Sequence, residues 1–371
     1  MERAYLHSDT SYDGVFFVAV RTTGVFCRPS CPARKPQPRN VEFFGTPRQA
    51  LFAGYRPCKR CRPLHTDGRP PEWVTRLLKK VDEAPTARIR DDDVRALGID
   101  PARARRYFKR HYGMTFQAYN RARRMGTALT EIRRGADLTN VGLEHGYESS
   151  SGFRDAFEQT FGAPPGQARE SACIVTQMLE SPIGPLLVCA TPKALCLLEF
   201  TDRRAIEAQV ATLRRRFDYA IVPGMNDLLA QVKDELADYF AGRLQQFRVP
   251  LAYPGTPFQE AVWGQLLRIP YGETISYEEL ARRVDRPGAQ RAVGTANGNN
   301  RIGIIIPCHR VVNKSGQLGG YGGGLWRKKF LLELERRTSG KTDVSQLDLF
   351  TAAAVQPANV IASTPRGRRA L

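Results

Sequence analysis

Four cysteines near the start of the chain, Cys27, Cys31, Cys58 and Cys61, follow the spacing C-x3-C, a gap of 26 residues, then C-x2-C. Where thiols are kept reduced, paired short-spaced cysteines read as a metal site rather than as disulfides. Four thiolates suit one tetrahedral Zn2+, and a purely structural zinc knuckle is the commoner use of such a site. A second constellation is Cys308-His309, within IIIPCHRVV at residues 304–312. A cysteine thiolate is a soft nucleophile, able to attack an alkyl carbon and accept that group. Alone the dipeptide says little, because adjacent side chains on an extended chain face opposite ways. A cysteine protease would place its histidine far off in sequence, and His7, His65, His111 and His145 offer no suitable partner.

The flanks of the first cluster are more specific. Residues 18–34, VAVRTTGVFCRPSCPAR, residues 53–63, AGYRPCKRCRP, and residues 40–44, NVEFF, resemble the N-terminal domain of the bacterial Ada family. The resemblance implies that Cys27 accepts a methyl group from a methyl phosphotriester in DNA while Cys31, Cys58 and Cys61 complete the zinc shell. Zn2+ with four thiolates carries about −2, and methylating Cys27 takes it to about −1. DNA phosphates then meet less repulsion beside Arg34, Arg56, Lys59 and Arg60, so methylation is expected to act as an electrostatic switch.

After Pro70-Pro71 the pattern turns helical. Asp100-Pro101 supplies an N-cap with proline at the first helical position. In the helix that follows, Tyr107 and Phe108 fall on one side, with Arg103, Arg106 and Arg110 toward the other. Helix, tight turn and helix return around Gly146. Two helix-turn-helix units are therefore expected, with recognition helices near residues 102–110 and 150–159 entering successive major grooves. Residues 138–169 resemble the AraC/XylS DNA-binding domains through Gly146-Tyr147, Ser151, Phe153, Ala156-Phe157, Phe161-Gly162 and Pro165. That resemblance adds Arg154 to the DNA-binding set. The competing reading is a helical bundle serving as a linker or protein platform.

Residues 171–255 read as a small α/β module with strands near 174–178, 186–190 and 195–200 and helices near 204–217 and 227–243. Cys173, Cys189 and Cys196 fall at or within apolar strands, which suits burial rather than catalysis. From Pro257, residues 256–284, AQRAVGTANGNN at 289–300 and the PCHRV segment resemble O6-alkylguanine-DNA alkyltransferases. By that resemblance Cys308 accepts the alkyl group, His309 activates it through a water and Glu335 orients His309. Tyr277 donates to the departing guanine, Asn300 braces the turn before Cys308, and Arg291 fills the space left by the flipped base. The loop GGYGGGLW at 319–326 is richer in glycine than expected of that family.

The chain has 371 residues, 56 Lys and Arg against 37 Asp and Glu, and a formal charge of +19. Residues 1–80 hold a net +9 of it, so the charge concentrates around the zinc cluster. No apolar run reaches the length of a membrane span and no signal peptide is visible, which predicts a cytoplasmic, nucleoid-associated bacterial protein. Residues 338–371 are expected to be disordered, and Gln346 to Phe350, QLDLF, resembles the peptide by which repair proteins bind the sliding clamp.

The expected fold is multidomain α+β. It comprises a zinc-binding Ada-type domain (1–70), an all-α tandem helix-turn-helix domain (75–170) and an RNase H-like α/β module (173–255). A winged-helix-like alkyltransferase domain (256–337) and the tail complete it. The expected function is irreversible repair of alkylated double-stranded DNA, coupled to transcriptional regulation by a monomer that contacts RNA polymerase. The alternative is a regulator whose Cys308 domain is inactive.

Overall fold

The computed structural model describes residues 1–9, 12–61, 63, 70–167, 171–203 and 206–340. The tail with its QLDLF segment lies outside the described residues. Helix α1 (Glu2–Leu6) precedes strands β1 (Phe17–Val20), β2 (Val25–Cys27) and β3 (Val41–Phe44), helix α2 (Pro47–Phe52) and strand β4 (Arg56–Pro57). The sheet order is β3-β1-β2-β4, so β1 is central. Alternation along β1 serves two small cores: Phe17 and Ala19 pack with Phe26 and Ala50, and Val18 packs with Phe16, Ala4 and Tyr5. The parallel register of β2 with β4, Phe26 opposite Pro57, brings Cys27 at the end of β2 near Cys58, which follows β4, and the Cys58 N–H donates to the Phe26 carbonyl at 2.9 Å.

Six helices follow: α3 (Glu72–Glu83), α4 (Asp91–Ala96), α5 (Pro101–Tyr112), α6 (Phe116–Arg133), α7 (Leu138–Glu144) and α8 (Ser150–Phe161). Their limits follow from local chemistry. The Asp100 carboxylate accepts from the N–H groups of Ala102 and Arg103, and Gly113 ends α5 at φ 69°. Ser149 caps α8 and Gly162 ends it at φ 76°. The buried face of α5 carries Ala104, Phe108 and Tyr112, while Arg103, Arg106 and Arg110 are exposed, the segregation expected from the sequence.

The next sheet contains β5 (Cys173–Leu179), β6 (Leu186–Ala190) and β7 (Leu195–Phe200), and later β8 (Ala220–Pro223); helix α9 (Ile206–Phe217) lies between β7 and β8, and α10 (Asp227–Phe240) follows. In the order β7-β6-β5-β8, β8 runs parallel to β5. The sequence reading lacks β8: four residues ending in proline, between two helices, present no alternation to read. Helix α10 stops three residues earlier than expected, where Gly242 takes φ 74°.

Both faces of this sheet are buried. One packs Val188, Leu198 and Phe200 against α10 and the C-terminal segment. The other packs Ile174, Leu187, Cys189 and Leu197 with Val210 and Leu213 of α9 and with Trp73, Leu77, Phe108 and Tyr112 of the helical region. The helix-turn-helix segment and the α/β module therefore share a core, and Gly126 of α6 meets Val222 of β8 so closely that a Cβ would sit 3.1 Å from the valine. His111 Nδ1 lies 2.6 Å from the Thr201 carbonyl, and Lys109 pairs with Glu207 at 3.7 Å. Cys173, Cys189 and Cys196 are buried as expected.

The C-terminal segment holds α11 (Pro257–Leu266), β9 (Ile275–Ser276), α12 (Tyr277–Arg283), α13 (Gln290–Gly298), β10 (Val311–Val312) and α14 (Leu325–Thr338). Thr256 and Gln259 form a capping box at the start of α11, with Pro257 at its first position. Among the described residues no helix is long and apolar enough to cross a membrane.

Candidate functional site

The four N-terminal cysteines converge as their spacing requires. Their Sγ atoms all lie within 4.8 Å of one another, and a tetrahedral Zn2+ with bonds of 2.3 Å needs sulfurs about 3.8 Å apart. Cys61 Sγ accepts the Arg28 N–H at 3.3 Å, a contact that favours thiolate. The hydrogen bond from Cys27 holds Cys61 down to about 6, and the same bond, with burial, pushes Cys27 well above the ordinary thiol range. Four sulfurs this close cannot all ionise without a cation between them. Donor set and spacing both fit one Zn2+ with no open position. The Asp13 carboxylate fixes the Cys27–Cys31 loop by accepting from the Ser30 N–H at 3.1 Å and the Ser30 hydroxyl at 2.5 Å. Arg34, Arg56, Lys59 and Arg60 are exposed on this domain.

Cys308 opens a single 3-10 turn after the buried turn 302–306. In that turn Ile304 stands at φ 69°, a conformation a β-branched residue adopts only when its surroundings impose it. Asn300 imposes it: its Oδ1 accepts from the Ile302 N–H at 3.0 Å, and its Nδ2 donates to the Ile306 carbonyl at 2.8 Å. Behind the cysteine, His309 and Glu335 are fully buried, with Nε2 to Oε1 at 2.8 Å. The same carboxylate accepts from Tyr239 Oη at 2.7 Å, Arg310 Nε at 2.8 Å, Arg310 Nη2 at 3.0 Å and the Gly272 N–H at 3.2 Å.

Burial alone would raise the Glu335 carboxyl, but His309 and Arg310 more than reverse this and hold it well below the usual carboxylate range. Burial holds His309 below its ordinary value despite Glu335. One guanidinium already balances the carboxylate, which together with burial favours a neutral imidazole, and its buried Nδ1 has no hydrogen-bond partner among the described residues. Burial holds the Cys308 thiol above its ordinary value, with Glu199 adding to the rise; Asn300, Arg203 and Lys328 offset only part of it.

Cys308 lines a cavity of about 620 Å³ shared with Tyr277, Arg291, Asn297, Tyr321 and Arg203, a volume suited to a small-molecule-sized group. Tyr277 opens α12 and its hydroxyl reaches the Gly320 carbonyl at 3.5 Å. Arg291 is exposed near the start of α13. Thus Cys308, His309, Glu335, Tyr277, Asn300 and Arg291 meet at one site. The metal centre is a separate site, and none of its cysteines lines the cavity. Arg103, Arg106 and Arg154 are exposed on α5 and α8; Arg103 lies 4.8 Å over the Trp73 ring, and Arg106 sits 4.0 Å from Asp100.

Several residues lining the cavity or packed behind it escape a sequence reading. Arg310, next to His309 in the PCHRV segment, carried a visible signal. Asn297, whose Nδ2 donates to the Cys308 carbonyl at 3.3 Å, could be confused with neighbouring Asn299 and Asn300. Lys328, fully buried and held down to about 8 by burial, donates to the Val311 carbonyl at 2.6 Å. Nothing local marks it, or Glu199 and Arg203, as part of this site.

Comparison with known families agrees segment by segment. Family models match at residues 1–64 (metal binding domain of Ada), 94–171 (helix-turn-helix domain), 174–253 (6-O-methylguanine DNA methyltransferase, ribonuclease-like domain) and 257–337 (6-O-methylguanine DNA methyltransferase, DNA binding domain). The bifunctional transcriptional activator/DNA repair enzyme Ada of Escherichia coli is 33% identical over 90% of this chain and 95% of its own length. A methylated-DNA–protein-cysteine methyltransferase of Mycobacterium leprae is 48% identical over 43% of this chain and 90% of its own. A solved structure of the O6-methylguanine methyltransferase of Mycobacterium tuberculosis is 43% identical over 47% of this chain and 98% of its own, with a TM-score of 0.39. With all four segments matched in order and a full-length relative aligned nearly end to end, this chain belongs to the Ada family.

Proposed function

We propose that this protein repairs alkylated DNA by two irreversible methyl transfers, from O6-methylguanine to Cys308 and from methyl phosphotriesters to Cys27, and that the second transfer switches on DNA binding and transcriptional regulation. The observation that carries the reading is the buried Cys308–His309–Glu335 arrangement opening on a cavity edged by Tyr277 and Arg291. His309 Nδ1, buried and unpartnered, takes the Cys308 proton through a water, and Glu335 fixes the ring by accepting from Nε2. The sulfur then forms a bond to the methyl carbon as the carbon–O6 bond breaks. The electron pair stays with guanine, which Tyr277 stabilises with a proton or hydrogen bond. The base must leave the stack to reach Cys308, and Arg291 fills its place.

At the other site Cys27, Cys31, Cys58 and Cys61 would hold Zn2+, which keeps a coordinated sulfur deprotonated and nucleophilic at neutral pH. The phosphotriester is uncharged, so the anionic cluster does not repel it as it repels an ordinary phosphodiester. A thioether at Cys27 reduces the cluster's negative charge, and Arg34, Arg56, Lys59 and Arg60 then bind phosphate with less opposition. Arg103, Arg106 and Arg154 contact the promoter. We assign the phosphotriester domain to residues 1–70, the promoter reader to 75–170, the α/β module to 173–255 and the alkyltransferase to 256–337. The regulator works as a monomer with RNA polymerase, and Gln346 to Phe350 tether it to the sliding clamp; pull-down with purified clamp, against Leu349→Ala and Phe350→Ala, tests the tether.

Mass spectrometry after incubation with DNA carrying both lesions tests the central reading. Cys27 and Cys308 should each gain one methyl. Cys308→Ala should lose base repair alone and Cys27→Ala phosphotriester repair alone. Repeated turnover by either site would contradict the scheme, and an unmodified Cys308 would leave only the regulator.

A further inference from the structure

The glycine-rich loop leaves a question that the transfer chemistry does not answer. Gly322 lines the Cys308 cavity, and its φ lies outside the left-handed region, so its backbone would accept any residue. What excludes a side chain is Arg203, from the turn after β7: a Cβ at position 322 would lie 2.7 Å from the guanidinium carbon. Next to it, a Cβ at Gly323 would lie 2.6 Å from the Phe200 ring. Two loop glycines are thus glycines because the α/β module presses into the loop.

Arg203 is held there by fixed partners. It pairs with Glu199 one helical turn's length earlier in sequence, and it donates to the Gly298 carbonyl and, at 3.3 Å, to the Asn300 carbonyl. These two carbonyls end α13 and begin the turn leading to Cys308. Glu199 is buried, accepts from the Phe200 N–H at 3.0 Å and from Gln209 Nε2 at 3.2 Å, and lines the same cavity. A guanidinium with this many anchors is a wall, whereas an unanchored one would swing aside.

Resting on the alkyl-transfer reading above, we infer that Arg203 is a specificity-determining residue of the Cys308 site: it occupies the room of the side chain that position 322 lacks and so limits the size of the O6-alkyl group accepted. The selectivity wall belongs to the α/β module, while the loop supplies only backbone.

The test compares labelled transfer from DNA carrying O6-methylguanine with transfer from DNA carrying O6-benzylguanine. Glu199→Gln is combined with Arg203→Ala so that no carboxylate is left buried without its cation. The benzyl-to-methyl rate ratio of this pair should rise about tenfold or more over wild type. A ratio is independent of the fraction of folded protein, and wild-type transfer of methyl separates failure of this inference from failure of the parent reading. Gly322→Ser supplies an independent arm. Alone it should displace Arg203 and slow methyl transfer; in the Glu199→Gln/Arg203→Ala background it should add no further loss. A benzyl-to-methyl ratio within about twofold of wild type, or a Gly322→Ser penalty that persists without Arg203, would overturn the assignment.

Discussion

Glu335→Gln tests the buried arrangement behind Cys308 most directly. Five donors converge on the two carboxylate oxygens, two of them from Arg310. Glutamine keeps one acceptor oxygen, turns the other into a donor and removes the charge that balances a buried guanidinium. Removing one partner of a buried ion pair costs about 3–5 kcal/mol, which for a unit of this size lowers Tm by about 6–20 °C. Because Glu335 fixes the imidazole that accepts the Cys308 proton, the rate of methyl transfer should fall by up to about 10²–10⁴, the usual worth of that positioned base.

The pH dependence has a definite sign. Unfolded His309 takes up a proton near 6.5, whereas the folded imidazole does so only at lower pH. Unfolded Glu335 protonates near 4.5, and the folded carboxyl far below that. In both ranges the unfolded chain binds more protons, so stability falls as pH drops below about 6.5 and falls faster below about 4.5. Glu335→Gln should lose the lower of these two limbs. Single-turnover transfer and thermal melting across pH 3–8 read all three effects. Melting at the wild-type temperature would refute the ion-pair reasoning, and unchanged transfer would remove Glu335 from the proton path.

Two other perturbations separate the remaining parts. Chelation should release about one Zn2+ per chain and abolish phosphotriester repair while leaving methyl transfer to Cys308 intact; loss of both, measured on the same sample, would mean that the two sites are not independent. Gly126→Leu should overpack the contact between α6 and β8 and destabilise the protein by about 1–3 kcal/mol. Because the helical region and the sheet share a core, the shift should appear in both alkyl transfer and promoter-site melting, and a shift confined to one of them would argue against that core.

Legibility in the sequence followed locality. The metal ligands were visible because each cysteine pair is closely spaced, C-x3-C and C-x2-C, and the parallel pairing of β2 with β4 then brings the two segments together. The start of α5 was visible because Asp100 caps it within one turn of itself and Pro101 suits its first position. Cys308, His309 and Tyr277 were visible through resemblance of the surrounding segments, and Glu335 only through its register to them. The missed residues that no local signal marks act across long separations. Glu199 and Arg203 reach it from another module about a hundred residues away in sequence, and β8 exists only because β5 waits 47 positions earlier to pair Cys173 with Ala220. The acidic residues at 91–93 are a poor companion for phosphate unless they cap a helix N-terminus, and they do begin α4, where Asp93 accepts from the Arg90 N–H and Asp92 pairs with Arg95.

The two acceptor cysteines face one requirement under opposite constraints. Each must be deprotonated when the methyl arrives. Cys27 meets a lesion on the outside of the duplex and is half-buried, so its sulfur needs a local cation; three further thiolates are what bind that cation tightly, and their summed negative charge is what its methylation reduces. In the proposed scheme Cys308 meets a lesion from inside the base stack, and the residue is itself buried at the cavity wall, where burial opposes ionisation. A permanently charged thiolate there would be costly, so the proton is best removed only as the base arrives, by a neutral imidazole whose far side is already fixed by an ionised carboxylate. The first design reports its own reaction as a change in charge; the second does not, since its sulfur begins and ends neutral. Under the proposed scheme that asymmetry places the regulatory switch at the metal site and makes a specific demand: methylating Cys308 alone should leave promoter affinity within about twofold of the unmodified protein, whereas methylating Cys27 alone should raise it and steepen its salt dependence, as more phosphates are engaged beside the cluster. Titrating promoter DNA with Cys27→Ala and Cys308→Ala proteins after exposure to each lesion, at two salt concentrations, measures both arms, and a rise in affinity on Cys308 methylation would defeat the charge argument.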